Sequence, residues 1–86
     1  MAFHAAPALV LRPGDKQRLE KILSSSNVDP TLLRRARVLS LAVEGMPNYK
    51  IALEAGCAMN TVKAWRARYE REGLDAMDDR GWLADL

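Results

Sequence analysis

Apolar residues recur at helical intervals along most of the chain, and nowhere do they alternate with polar ones as a half-buried strand requires. Leu19, Ile22 and Leu23 stand at i, i+3, i+4 after a Pro13-Gly14-Asp15 start, with Lys16, Arg18 and Lys21 directed outward. Ser24-Ser25-Ser26-Asn27 interrupts that pattern. Asp29-Pro30 restarts it, because an aspartate N-cap accepts backbone N–H bonds and proline fits the first helical turn. Leu32, Leu33, Ala36, Leu39 and Val43 trace one apolar stripe and Gly45 is a stop, which predicts a helix over about 30–44. Asn48 is the expected N-cap of a short helix over 49–55, ended by Gly56, and another helix runs from near Met59 to Glu72, ended by Gly73. The expectation is all-α, a compact helical bundle of about four helices. Its predicted division is a flexible arm at 1–11, a helical domain at 12–80 and an acidic, apolar tail at 81–86.

The window from Asn48 to Ala67 carries the most information. Two helices joined by a tight turn at a steep angle need a small residue on the first helix, and Ala52 serves. The turn needs a residue that tolerates positive φ, and Gly56 follows four positions later. Ile51, Ala55, Cys57, Val62 and Trp65 fall where apolar plugs between the two helices belong. The window therefore reads as a helix-turn-helix.

At ~100° per residue, Val62, Trp65 and Tyr69 cluster toward the core, and Asn60, Lys63, Ala64, Ala67 and Arg71 lie opposite. Thr61, Arg66 and Arg68 are assigned to the flanks. An amide, a long cation and two alanines suit entry into a DNA major groove. Asn pairs with adenine, Lys reaches guanine acceptors, and Ala lets the backbone approach and touch thymine methyls. Met59 and Thr61 sit at the helix start, where backbone N–H groups attract phosphate. The candidate base contacts are Met59, Asn60, Lys63, Ala64 and Ala67. The bland alternative is an ordinary solvated amphipathic helix. Ala58 is an unusual residue for the N-cap, since it offers no side-chain acceptor.

Charge sharpens this reading. The 86 residues carry a net charge of only +2, which suggests little by itself. Between Arg34 and Arg71, however, eight basic residues (Arg34, Arg35, Arg37, Lys50, Lys63, Arg66, Arg68, Arg71) oppose three acidic ones. After that, only Arg80 opposes Glu72, Asp75, Asp78, Asp79 and Asp85. A basic middle favours a polyanionic partner. Phosphate-contact candidates are Arg34, Arg35, Arg37, Lys50, Arg66, Arg68 and Arg71, which would fix register without reading sequence.

A hydrophobic fraction of 49% excludes a disordered chain, and no apolar run reaches the ~18 residues of a membrane span. No cofactor, metal or catalytic residue is expected, and no membrane partner. One cysteine, Cys57, fits a small packed plug better than a redox centre, and His4 stands alone in the arm. The expected compartment is cytoplasmic, on the nucleoid. Trp82, Leu83 and Leu86 are candidates for docking a second protomer or another protein.

The run Arg34-Arg35-Ala36-Arg37-Val38-Leu39, then Glu44-Gly45-Met46-Pro47-Asn48, Ile51-Ala52 and Gly56, forms part of a longer pattern. Asn60-Thr61-Val62-Lys63-Ala64-Trp65-Arg66, Tyr69 and Glu72-Gly73-Leu74-Asp75-Ala76-Met77 continue it. Together these resemble the N-terminal helix-turn-helix domain of bacterial mariner-like insertion-sequence transposases, a relative of the paired-box fold. The resemblance covers roughly 11–80. It implies binding to terminal inverted repeats, with the helix from Met59 to Glu72 in the major groove, and it places Thr61 among the candidate base contacts. Three departures stand out: Ala58-Met59 replaces a hydroxyl cap and a basic residue, 81–86 stands where a basic linker is expected, and the three-carboxylate catalytic domain is absent. The implied protein is a DNA binder and not an enzyme. Two rival functions are a dimeric transcriptional repressor or antitoxin-like regulator, and a protein-interaction module that kept the fold and lost DNA affinity.

Overall fold

The computed structural model describes residues 7–85, with Leu86, a proposed docking residue, and His4 outside that range. Four α-helices follow one another: α1 (Asp15–Ser24), α2 (Pro30–Val43), α3 (Asn48–Ala55) and α4 (Met59–Glu72). Short 3₁₀ turns at Leu74–Met77 and Trp82–Asp85 complete the chain, and the described residues include no strand. The all-α bundle of four helices is the observed architecture.

Local chemistry accounts for most helix ends. The Asp29 carboxylate accepts the Leu32 N–H at 3.3 Å and Pro30 opens α2, as the sequence predicts. At the other end of α2, the Met46 N–H reaches the Leu41 carbonyl and the Gly45 N–H reaches the Ala42 carbonyl, which closes the last turn. The α3 boundary differs by one residue from expectation. Pro47 is the N-cap, Asn48 is already helical, and its buried Oδ1 accepts no hydrogen bond among the described residues. Gly56, in the left-handed region at φ 69°, ends α3 and turns the chain toward α4.

The core runs through all four helices. Leu19 and Ile22 of α1 and Leu32, Ala36, Val38 and Leu39 of α2 are buried in one cluster, while Leu23 is exposed. Ile51 and Ala52 of α3 pack with Val62 and Tyr69 of α4, and Leu74 and Met77 close the base. Ala55, Cys57 and Trp65, expected as plugs, lie half-buried at the margin of this core.

Two expectations about the chain ends are corrected. The arm is tied to the bundle through Leu9, while Pro7, Ala8 and Val10 are exposed: Leu9 is buried, its N–H donates to the Ala42 carbonyl at 2.9 Å, and the Arg12 N–H donates to the Tyr69 hydroxyl. A leucine that fills a core site gains the transfer free energy of its side chain, about 1.5–3 kcal/mol, which offsets part of the entropy of ordering the segment. The tail is likewise part of the domain. Leu83 is buried, Trp82 packs against the core, and the Leu83 N–H donates to Asp78 at 2.6 Å. Leu83 is therefore occupied within its own chain and is not a docking residue.

Candidate nucleic-acid interface

The orientation of α4 follows from three residues spaced i, i+4, i+7. Val62, Arg66 and Tyr69 are buried, so they mark the inward side of the helix. The Tyr69 hydroxyl donates to Asp15 at 2.7 Å and accepts from the Arg12 backbone at 2.7 Å, which fastens the C-terminal half of α4 to the start of α1. The N-terminal half is held by Val62 against the core beside Ile51 and Ala52. No side chain caps the helix at Ala58, whose carbonyl accepts the Thr61 and Val62 N–H groups.

With the inward side set, the outward side is determined by helix geometry. Asn60, Lys63, Ala64 and Arg71 are exposed opposite the core, and Ala67 on the same side is half-buried. Met59 is exposed at the first position and Thr61 is half-buried. Arg68 is exposed on the flank. The structure thus brings the base-contact candidates together along one side and one end of α4.

The phosphate-contact candidates separate into two groups. Arg34 and Arg37 are exposed along α2, beside a shallow recess of about 210 Å³ that they line with Pro30, Leu33 and Ala55. Lys50 is exposed at the start of α3. Together with Lys63 and Arg68, these cations enter no ion pair among the described residues. Arg71 lies 3.6 Å from Glu72 in an exposed pair, which contributes little and leaves the guanidinium accessible.

Arg35 and Arg66 behave differently, and neither presents its guanidinium to solvent as expected. Arg66 is only 9% exposed and donates to the Pro7 carbonyl at 2.5 Å. Its place follows from spacing: four residues after Val62 and three before Tyr69, it belongs to the buried side and not to a flank. Arg35 donates through one nitrogen to the Met77 carbonyl and to Asp79, both at 3.0 Å, and its guanidinium stands 5.5 Å from the Trp65 ring centroid. Both side chains are engaged within the fold.

Pairing also explains the acidic C-terminal region. Asp75 pairs with Arg18, Asp79 with Arg35, and Arg80 with Asp29 at 3.6 Å. Part of the charge contrast along the sequence is thus cancelled internally, while the outward side of α4 keeps its positive character. The Asp15–Tyr69 pair had one signal in the sequence: Asp15 stands four residues before Leu19 and seven before Ile22, on the same buried side of α1.

Among the described residues, no group of three His, Cys, Asp or Glu side chains is placed to hold a metal ion, and no helix is long and apolar enough to cross a membrane. A family model described as a homeodomain-like domain matches residues 29–78, which take in α2, α3, α4 and the first 3₁₀ turn. No curated protein and no solved structure matches the chain.

Proposed function

The chain belongs to the homeodomain-like domain family, and on that premise we propose that it reads double-stranded DNA by placing α4 in the major groove. The observation that carries this reading is the outward side of α4, where Asn60, Lys63 and Ala64 lie exposed opposite buried Val62, Arg66 and Tyr69. Asn60 and Lys63 supply hydrogen-bonding groups for adenine and guanine edges, and Ala64 and Ala67 permit close approach. Met59 and Thr61 extend the base contacts at the helix start. Arg34, Arg37, Lys50, Arg68 and Arg71 serve as phosphate contacts that set register.

The biological setting follows from the resemblance to mariner-like transposase domains. In this reading the module is an arm that binds the ends of a mobile element. A stand-alone regulator is the second form of the same proposal, since one reading helix makes few contacts and two copies on neighbouring half-sites raise specificity.

Selection of bound duplexes from a random pool tests both. An asymmetric half-site is expected for a transposase-type arm, and a palindromic one for a dimeric regulator. Absence of any enriched sequence, together with an affinity for duplex DNA that does not change with salt, would overturn DNA reading and leave the protein-interaction function.

A further inference from the structure

Arg35 is anchored within the fold, and its anchors come from three places. It rises from α2, stacks beside Trp65 of α4, and donates to the Met77 carbonyl and the Asp79 carboxylate of the C-terminal segment. Its side chain is 14% exposed, and its Nε is buried with no partner among the described residues. A buried charge with an unsatisfied N–H is a poor device for stability. The carboxylate partner, Asp79, is 61% exposed, and exposed ion pairs contribute little. The geometry it imposes is another matter.

Trp65 lies between the buried and exposed sides of α4, next in sequence to Ala64 and two residues after Lys63. A ring held there resists rotation of the helix about its own axis. Side-chain positions lie about 5–6 Å from that axis, so a rotation of about 10° moves the outward side by about 1 Å. Hydrogen-bonded recognition tolerates only about 0.5 Å of such error. Val62, Arg66 and Tyr69 hold the inward side, and the planar guanidinium over Trp65 adds a restraint at the margin between the buried and exposed sides.

We propose that Arg35 is a positioning residue for DNA reading: by bridging Trp65 to the segment from Met77 to Asp79, it sets the rotation of α4 and hence which base edges Asn60 and Lys63 reach. Arg35 itself touches no DNA. This rests on the proposed DNA-reading function. It adds a role for the C-terminal segment, whose carboxylate and carbonyl fix the bridge from one side.

The test is Arg35→Met, measured on a duplex selected by the unsubstituted protein and on single-base variants of it. Thermal melting should show a cooperatively folded domain with a lowered Tm, because the Met77 carbonyl loses its donor. Affinity for the selected duplex should fall about tenfold, and preference over single-base variants should flatten. The slope of log affinity against log salt should stay the same, because no phosphate contact is lost. Asp79→Asn, which keeps the guanidinium over Trp65 but removes the ion pair, should give a smaller loss with the same unchanged slope. In a Trp82→Phe background, Trp65 emission should shift on Arg35→Met even without DNA. A slope reduced by about 0.9 would identify Arg35 as a phosphate contact and overturn the proposal. So would unchanged affinity and preference in the folded variant. Failure of the unsubstituted protein to prefer any duplex would instead overturn the DNA-reading function, and this inference with it.

Discussion

The Tyr69 hydroxyl donates to the Asp15 carboxylate across 54 positions of sequence, at 2.7 Å, and accepts the Arg12 N–H at the same distance. The carboxylate is also held by Arg18 at 3.1 Å, so a buried acid, a phenol, a guanidinium and a backbone amide satisfy one another. The node joins the first turn of α1 to the inward side of α4. It keeps the outward side of α4 directed away from the bundle without occupying any group proposed to meet DNA.

Tyr69→Phe removes both hydrogen bonds while keeping the ring in the core. The buried Asp15 oxygen and the Arg12 N–H then lose a partner, which costs about 1–3 kcal/mol. In a domain of this size that lowers Tm by at least about 4 °C, readable by circular dichroism. An unchanged Tm would mean that the node is not a fastening point.

The same phenol makes stability depend on alkaline pH. Burial, and then the hydrogen bond to Asp15, raise the Tyr69 pKa above its ordinary value, because both favour the neutral hydroxyl. The associated stabilisation is therefore complete below the ordinary phenol range near 10 and is lost as pH rises through the raised value. Urea midpoints across that range should fall, and Tyr69→Phe should flatten the fall. Parallel pH curves for the two proteins would remove Tyr69 as its source.

Lys63 and Arg68 should separate on DNA. Lys63→Ala is expected to change which sequences are preferred, at a cost of about 1–3 kcal/mol on the best site. Arg68→Ala is expected to weaken all sequences similarly and to reduce the salt slope by about 0.9. Binding titrations at several salt concentrations check both. Identical behaviour of the two variants would show that the reading side of α4 has been misassigned.

Gly73 joins α4 to the 3₁₀ turn at φ 86°, ψ −176°, a region that residues with a Cβ avoid. A Cβ there would also stand 2.8 Å from the Arg12 guanidinium, a flexible group that can move aside. Strain therefore dominates, and Gly73→Ala should destabilise the domain by about 1–3 kcal/mol. Chemical denaturation measures this directly, and a loss below a few tenths would show that the junction relaxes.

Ala58→Ser tests the bare start of α4. A hydroxyl at this N-cap can accept the N–H groups near Asn60 and Thr61, for a gain of about 1 kcal/mol in stability. A rise in the urea midpoint with an unchanged m-value is the expected outcome.

Much of this protein is legible from local pattern alone. The four helices, the Asp29-Pro30 start, the Gly56 turn and the outward placement of Asn60, Lys63 and Ala64 all follow from periodicity and capping, because these depend on residues within a few positions of one another. Arg66 was legible in principle, since its spacing from Val62 and Tyr69 places it inward. The sequence by itself thus determined which stretches are helical and which side of α4 is polar. Only the tertiary structure decided which cations are available to a partner. Arg35 and Arg34 are adjacent in sequence and alike in chemistry, yet one is enclosed by Trp65, Met77 and Asp79 while the other is exposed. The fate of a long charged side chain is set by acceptors and rings brought from distant parts of the chain, and local periodicity carries no record of them.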